Sequence, residues 1–127
     1  MTTAQSVEII VARANDGEVF TTLDEAERKL DKDILMINDA EGAIGIAGIM
    51  GGENSKITDD VQTVIFESAT FNGTNIRKSA KRLSMRTDAS GKFEKGLDPE
   101  LALYAMNRAC ALIEELGAGE VVGGCID

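Results

Sequence analysis

Ile44-Gly45-Ile46-Ala47-Gly48-Ile49-Met50-Gly51-Gly52-Glu53 constrains this chain more than any other stretch. It begins as an apolar strand and ends in glycines, which tolerate backbone angles and close approaches that other residues resist. It then turns polar at Glu53-Asn54-Ser55-Lys56. A strand running into a glycine turn places main chain where something must come close. Two familiar phosphate loops fail on spacing. A dinucleotide turn needs G-x-G-x-x-G opening a helix, whereas these glycines fall as G-x-x-G-x-x-G-G ahead of a polar loop. A P-loop needs Gly-Lys-Ser/Thr, and Gly52 is followed by Glu53. The spacing is equally satisfied by a tight hairpin or bulge with no ligand.

With 127 residues the chain reads as a single domain, residues 7–127, whose 43% hydrophobic content suffices for a core. Aromatics are only 4%, so that core is aliphatic and methionine-based. Residues 1–6 are small and polar, and read as disordered or left by cloning. No signal peptide and no run of about 18 apolar residues is present, so no membrane association is expected. Two cysteines without metal spacing and no histidine point to a reduced, cytoplasmic protein with no metal. A Ser-His-Asp or Cys-His catalytic set cannot be assembled from these residues.

The net charge of −9 argues against general nucleic-acid binding. Residues 77–95, however, hold seven basic residues against two acidic ones, a net of +5 that leaves −14 elsewhere. Arg77, Lys78, Lys81 and Arg82 are the candidate contacts to an anion such as RNA, and a solvated helix face is the plainer reading.

Taken in order, Val7 to Ala12 alternates as a half-buried strand. Asn15-Asp16-Gly17 is expected to form a type I′ hairpin turn into Glu18–Leu23. Further strands are expected at Ala26–Leu30, Ile34–Ile37 and Ala43–Ala47, giving an antiparallel meander. Gln62–Ala69 is β-branched and aromatic, which predicts a strand with Glu67 near its end. That carboxylate is either an exposed strand end or a group at a pocket mouth. A helix over 74–84 buries Ile76, Ala80 and Leu83, and Arg86–Gly96 reads as a polar connection. Asp98 and Pro99 start a second helix that ends at Gly117, with Leu101, Ala105, Leu112, Ile113 and Leu116 on its buried side, Met106 and Ala109 beside them, and Cys110 as a small buried hydrophobe. Val121-Val122 is expected as a last strand.

Gly45–Glu53 (GIAGIMGGE), Phe66–Phe71 (FESATF) and Arg86–Leu101 (RTDASGKFEKGLDPEL), in this order and spacing, resemble the B3/B4 editing domain of the bacterial phenylalanine–tRNA ligase β subunit. The resemblance implies an α+β fold, a three-layer β-sandwich of unusual topology built on antiparallel sheets, with two main helices in the C-terminal half. It implies hydrolysis of mischarged tyrosyl-tRNA for phenylalanine, while a catalytic α subunit forms phenylalanyl-tRNA with ATP and magnesium. No cofactor is implied for this chain itself. Partners implied are the tRNA 3′ end, the α subunit and the remainder of the β subunit.

Carried over residue by residue, the resemblance makes Glu67 the reader of the tyrosine hydroxyl, Thr87 and Ala89 the short side chains shaping the pocket, and Gly48 and Gly51 the wall that leaves room for substrate. No residue of the chain is assigned as general base. Gly91 and Lys92 stand where the family more often carries a larger polar residue and an arginine. The family's histidine-bearing segment, roughly His-Ala-Phe-Asp, is expected to lie upstream of this chain. Activity is therefore expected to depend on restoring it, and the uncovered surface is expected to favour self-association. Two other functions fit the same sequence: a non-catalytic amino-acid or RNA-end binding module, and a structural domain that packs on the α subunit.

Overall fold

The computed structural model describes residues 8–124 and falls into two compact units. The first comprises Met1–Val61 and Phe71–Leu97, the second Gln62–Thr70 and Asp98–Asp127. Residues 1–6, with Val7 and Cys125, lie outside the described residues. The fold class is α+β, with antiparallel sheets and three α-helices among the described residues.

The first unit holds six strands: β1 (Ile10–Arg13), β2 (Val19–Thr21), β3 (Glu27–Lys29), β4 (Leu35–Asn38), β5 (Ala43–Ile46) and β6 (Met50–Gly51). All ladders are antiparallel, but they do not form the expected meander. One sheet runs β1-β4-β5-β6, and β2-β3 is a separate hairpin. β1 pairs with β4, Val11 opposite Ile37, so the hairpin is an insertion between two partnered strands. It joins the larger sheet at its far end, through the Thr22–Gly52 bridge and the Leu23 N–H to Gly51 carbonyl bond of 3.0 Å.

The Asn15–Glu18 turn forms, with the Glu18 N–H on the Asn15 carbonyl at 3.1 Å. Gly17 has φ +83° but Asp16 is not in the left-handed region, so the turn is not type I′. It also joins β1 to β2, which do not pair, and strand-to-strand geometry therefore places no demand for a primed turn on it. β1 is an edge strand, and Ile9 and Val11 stay about half exposed rather than half buried.

The core of this unit gathers Phe20, Met36 and Ile46 from the strands and Leu30 and Ile34 from the β3–β4 connection with Ile76, Ala80, Leu83 and Met85 from the helical half. Helix α1 spans Gly73–Arg82, and its expected apolar face of Ile76, Ala80 and Leu83 is the buried one. The Asn72 side chain caps it by accepting the Asn75 N–H at 3.0 Å. The stretch read as a polar connection contains a further helix, α2 (Asp88–Phe93). Six residues give too little periodicity to register, and Gly91 and Ser90 disguise it further.

In the second unit, α3 spans Leu101–Glu115. The Asp98 carboxylate accepts the Glu100 N–H at 3.0 Å, so Asp98 and Pro99 form a turn that precedes the regular helix by two residues. Gly117, at φ +64°, ends it in a Schellman arrangement: Ala118 N–H to Ile113 carbonyl, Gly117 N–H to Glu114 carbonyl.

The buried side of α3 is only in part the expected one: Met106, Ala109 and Ile113 belong to it and the leucines do not. Ala102, Met106, Ala109 and Ile113 are half-buried, whereas Leu101, Ala105, Leu112 and Leu116 are exposed. Cys110 is half-buried. The helix carries apolar residues on more than one side, so periodicity alone does not choose a face. The strands expected at Gln62–Ala69 and Val121-Val122 are absent. Both segments have strand-like side chains, but no described strand pairs with either, and β propensity without a ladder does not make a strand.

Candidate functional site

β5 delivers the chain into a tight turn, Ala47–Ile49, before β6 returns it. Gly48 sits in this turn at φ +67°, which a residue with a Cβ rarely adopts. A Cβ there would also lie 3.0 Å from Ile76 Cδ1, 3.0 Å from Phe71 Cδ2 and 3.2 Å from Phe93 Cδ2. Those two rings meet edge to face, with centroids 5.0 Å apart at 62°. The absent side chain of Gly48 thus makes room for the protein's own Ile76, Phe71 and Phe93. At Gly51 a Cβ would meet Leu23 Cδ1 at 3.2 Å.

Helix α2 closes over this turn from both its ends. Thr87, its N-cap, accepts the Ser90 N–H at 3.0 Å and donates its hydroxyl to the Ile49 carbonyl at 2.8 Å. The Ser90 hydroxyl accepts the Thr87 N–H at 3.0 Å, which completes a capping box. At the other end Phe93 packs on Gly48. Ala89, in the first turn of α2, is half-buried. Gly48, Gly51, Thr87 and Ala89 all lie in the first unit, where the Thr87 hydroxyl ties α2 to the turn that holds Gly48, while Gly51 faces Leu23.

Glu67 belongs to the second unit, in the irregular stretch that replaces the expected strand. The residue is exposed as a whole, yet partial burial pushes its carboxyl above the ordinary value for Glu. Its neighbour Ser68 donates to the Ala102 carbonyl at 2.7 Å, which ties this stretch to α3 within the same unit.

The four basic residues singled out on α1 do not act alike. Arg82 is ion-paired with Asp31 and, at 3.5 Å, with Asp33. Its hydrogen bond to Asp31 and the attached charge raise its pKa further. Arg77, Lys78 and Lys81 are exposed, and Lys81 and Arg82 lie in the last turn, where cations favour the helix dipole. No group of three or more metal-ligating side chains occurs among the described residues. No described helix is long and apolar enough to cross a membrane.

Sequence reasoning missed Ser90, Phe71, Phe93 and two tightly held glycines. The Thr87-x-x-Ser90 spacing was the available signal for the capping box. A Cβ at Gly52 would meet the Asn54 side chain two residues on and Phe20 Cζ at 2.6 Å, and one at Gly73 would fall 2.8 Å from the Glu94 carbonyl oxygen. Nothing local announces Gly73, whereas Gly52 closes the glycine run that the sequence already marks.

An α+β unit with a glycine turn clasped by a short capped helix defines the class, and the chain belongs to the B3/4 domain family, whose model matches residues 2–118. It is similar to phenylalanine–tRNA ligase β subunits: 57% identical over 122 residues to that of Clostridium acetobutylicum and 52% over 122 residues to that of Clostridium tetani. Identity to the Geobacter sulfurreducens subunit is 49% over 119 residues. These alignments cover 94–96% of this chain and 15% of each relative.

Proposed function

We propose that this chain contributes an editing site that hydrolyses tyrosyl-tRNA for phenylalanine. The observation that supports the proposal is the Thr87–Ile49 hydrogen bond, which ties the N-cap of α2 to the turn that holds Gly48. In this reading a water oxygen attacks the ester carbonyl carbon, the bond to the ribose oxygen breaks, and that oxygen leaves with a proton. Backbone groups and the ribose hydroxyls position the water, since the chain has no histidine. Glu67 selects: its carboxylate accepts a hydrogen bond from the tyrosine phenol. Phenylalanine leaves that acceptor unpaired, at a cost of about 1–3 kcal/mol. Such discrimination is needed because an apolar synthetic pocket rejects an added hydroxyl weakly.

The natural context in this reading is the cytoplasmic ligase, with a catalytic α subunit that uses ATP and magnesium and with the rest of a β subunit. The test compares deacylation of tyrosyl-tRNA by the 127-residue chain with that by a chain extended upstream into the histidine-bearing segment. The extended chain should be much faster. Equal, measurable rates would refute the dependence on the histidine-bearing segment.

A second reading, a packing or binding module without hydrolysis, is favoured by the surroundings of Gly48. Ile76, Phe71 and Phe93 already fill the space that its missing side chain leaves. That reading predicts no deacylation by either chain.

A further inference from the structure

Beside the glycine turn's helix, and still within the first unit, α1 borders an open depression of about 410 Å³. Its floor and rim include Arg13 of β1, Asp33 and, along one side of α1, Asn72, Asn75, Lys78, Ser79 and Arg82. Three cations face one carboxylate there, in a chain whose net charge is −9. The carboxylate, Asp33, lies 3.8 Å from Arg13 and 3.5 Å from Arg82, so it is neutralised between two guanidiniums. Asp31, just outside, is the stronger partner of Arg82. Lys78 forms no ion pair among the described residues.

Ser79 supplies the second observation. It is only 4% exposed and lines the depression, a polar side chain set into its wall. The depression also runs to the first turn of α1, where the helix dipole favours an anion.

We propose that this depression is a subsite for a backbone phosphate of RNA. Arg13 also donates to the Lys32 and Asp33 carbonyls at 3.5 and 3.3 Å, and the Asn75 carboxamide donates to the Asp33 carbonyl at 2.8 Å, so Lys78 is the lining cation left to meet an oxyanion, with the two guanidiniums beside it. The site divides the basic residues of α1. Lys78 and Arg82, one turn apart, line it, while Arg77 and Lys81 do not. The proposal rests on the RNA part of the proposed function and is independent of the role given to Glu67.

The test is binding of a fluorescent acceptor-stem RNA ending in single-stranded CCA to the 127-residue chain across a salt series. Arg13→Glu and Lys78→Glu should each weaken binding by about fivefold at 0.1 M salt and flatten the salt dependence by about 0.7 per lost contact. Arg77→Glu with Lys81→Glu should weaken it less than either. Arg13→Gln serves if charge reversal unfolds the chain, with circular dichroism as the control. Losses as large for the Arg77 and Lys81 variants would overturn the subsite in favour of a diffuse basic face. Displacement of the RNA by hexaglutamate at equal concentration would make it an acidic-peptide site instead. Saturation by inorganic phosphate without competition against RNA would leave an adventitious ion only. Any of these results leaves the ester selectivity of Glu67 untouched, so the two proposals fail separately.

Discussion

The Thr87 hydroxyl donates to the Ile49 carbonyl at 2.8 Å while accepting the Ser90 N–H at 3.0 Å. One side chain thus caps α2 and fastens it to the glycine turn. Thr87→Ala removes both bonds, and loss of a cap alone costs about 0.5–2 kcal/mol. Thr87→Ser keeps the hydroxyl and should retain most of the stability. Urea denaturation of the three proteins checks this. An alanine variant as stable as the parent would show that the clasp contributes nothing.

Two glycines should respond in opposite directions to alanine. Gly48 combines φ +67° with neighbours at 3.0 Å, so Gly48→Ala should destabilise by about 1–3 kcal/mol. Gly91 lies inside α2 with open space where a Cβ would stand, so Gly91→Ala should stabilise by about 0.5–1 kcal/mol. Thermal melts of both variants provide the comparison. A neutral Gly48→Ala would mean that the turn adapts.

What the sequence revealed and concealed follows from range. Strand positions such as Leu35–Asn38 and Ala43–Ile46 are written as short apolar runs bounded by turn residues, and the Ile76–Ala80–Leu83 face in helical spacing. The pairing of β1 with β4 is not local, because the β2-β3 hairpin intervenes. Gln62–Ala69 failed for the complementary reason: its residues favour a strand, but a strand exists only with a partner. At the site, the glycine turn and the polar residues after Met85 were legible as unusual. Their junction was not, because it depends on Thr87 reaching Ile49 across 38 positions. The exposed leucines of α3 were misassigned because an apolar helix offers several equivalent stripes.

The Glu67 carboxyl, raised by partial burial, carries a pH signature. A folded-state pKa above the unfolded one means that the folded chain binds more protons between the two values. Glu67 therefore reduces stability as pH rises from near 4.5 through its raised pKa, and the penalty is complete above it. Glu67→Gln lacks this penalty, so its stability relative to the parent should grow across that window. Thermal melts from about pH 4 to pH 8 test the sign. A difference that is flat with pH would show that the carboxyl is not desolvated.

The central claim is that Glu67 reads the tyrosine hydroxyl, and the ratio of deacylation rates for tyrosyl- and phenylalanyl-tRNA tests it most directly. The measurement uses Glu67→Ala in a full-length β subunit assembled with its α partner, with circular dichroism confirming the fold. A hydrogen bond to a charged acceptor is worth about 1.5–3 kcal/mol, so the preference for the tyrosyl ester should fall by roughly ten- to over a hundredfold. An unchanged ratio in a folded variant would contradict the account and remove Glu67 from the site.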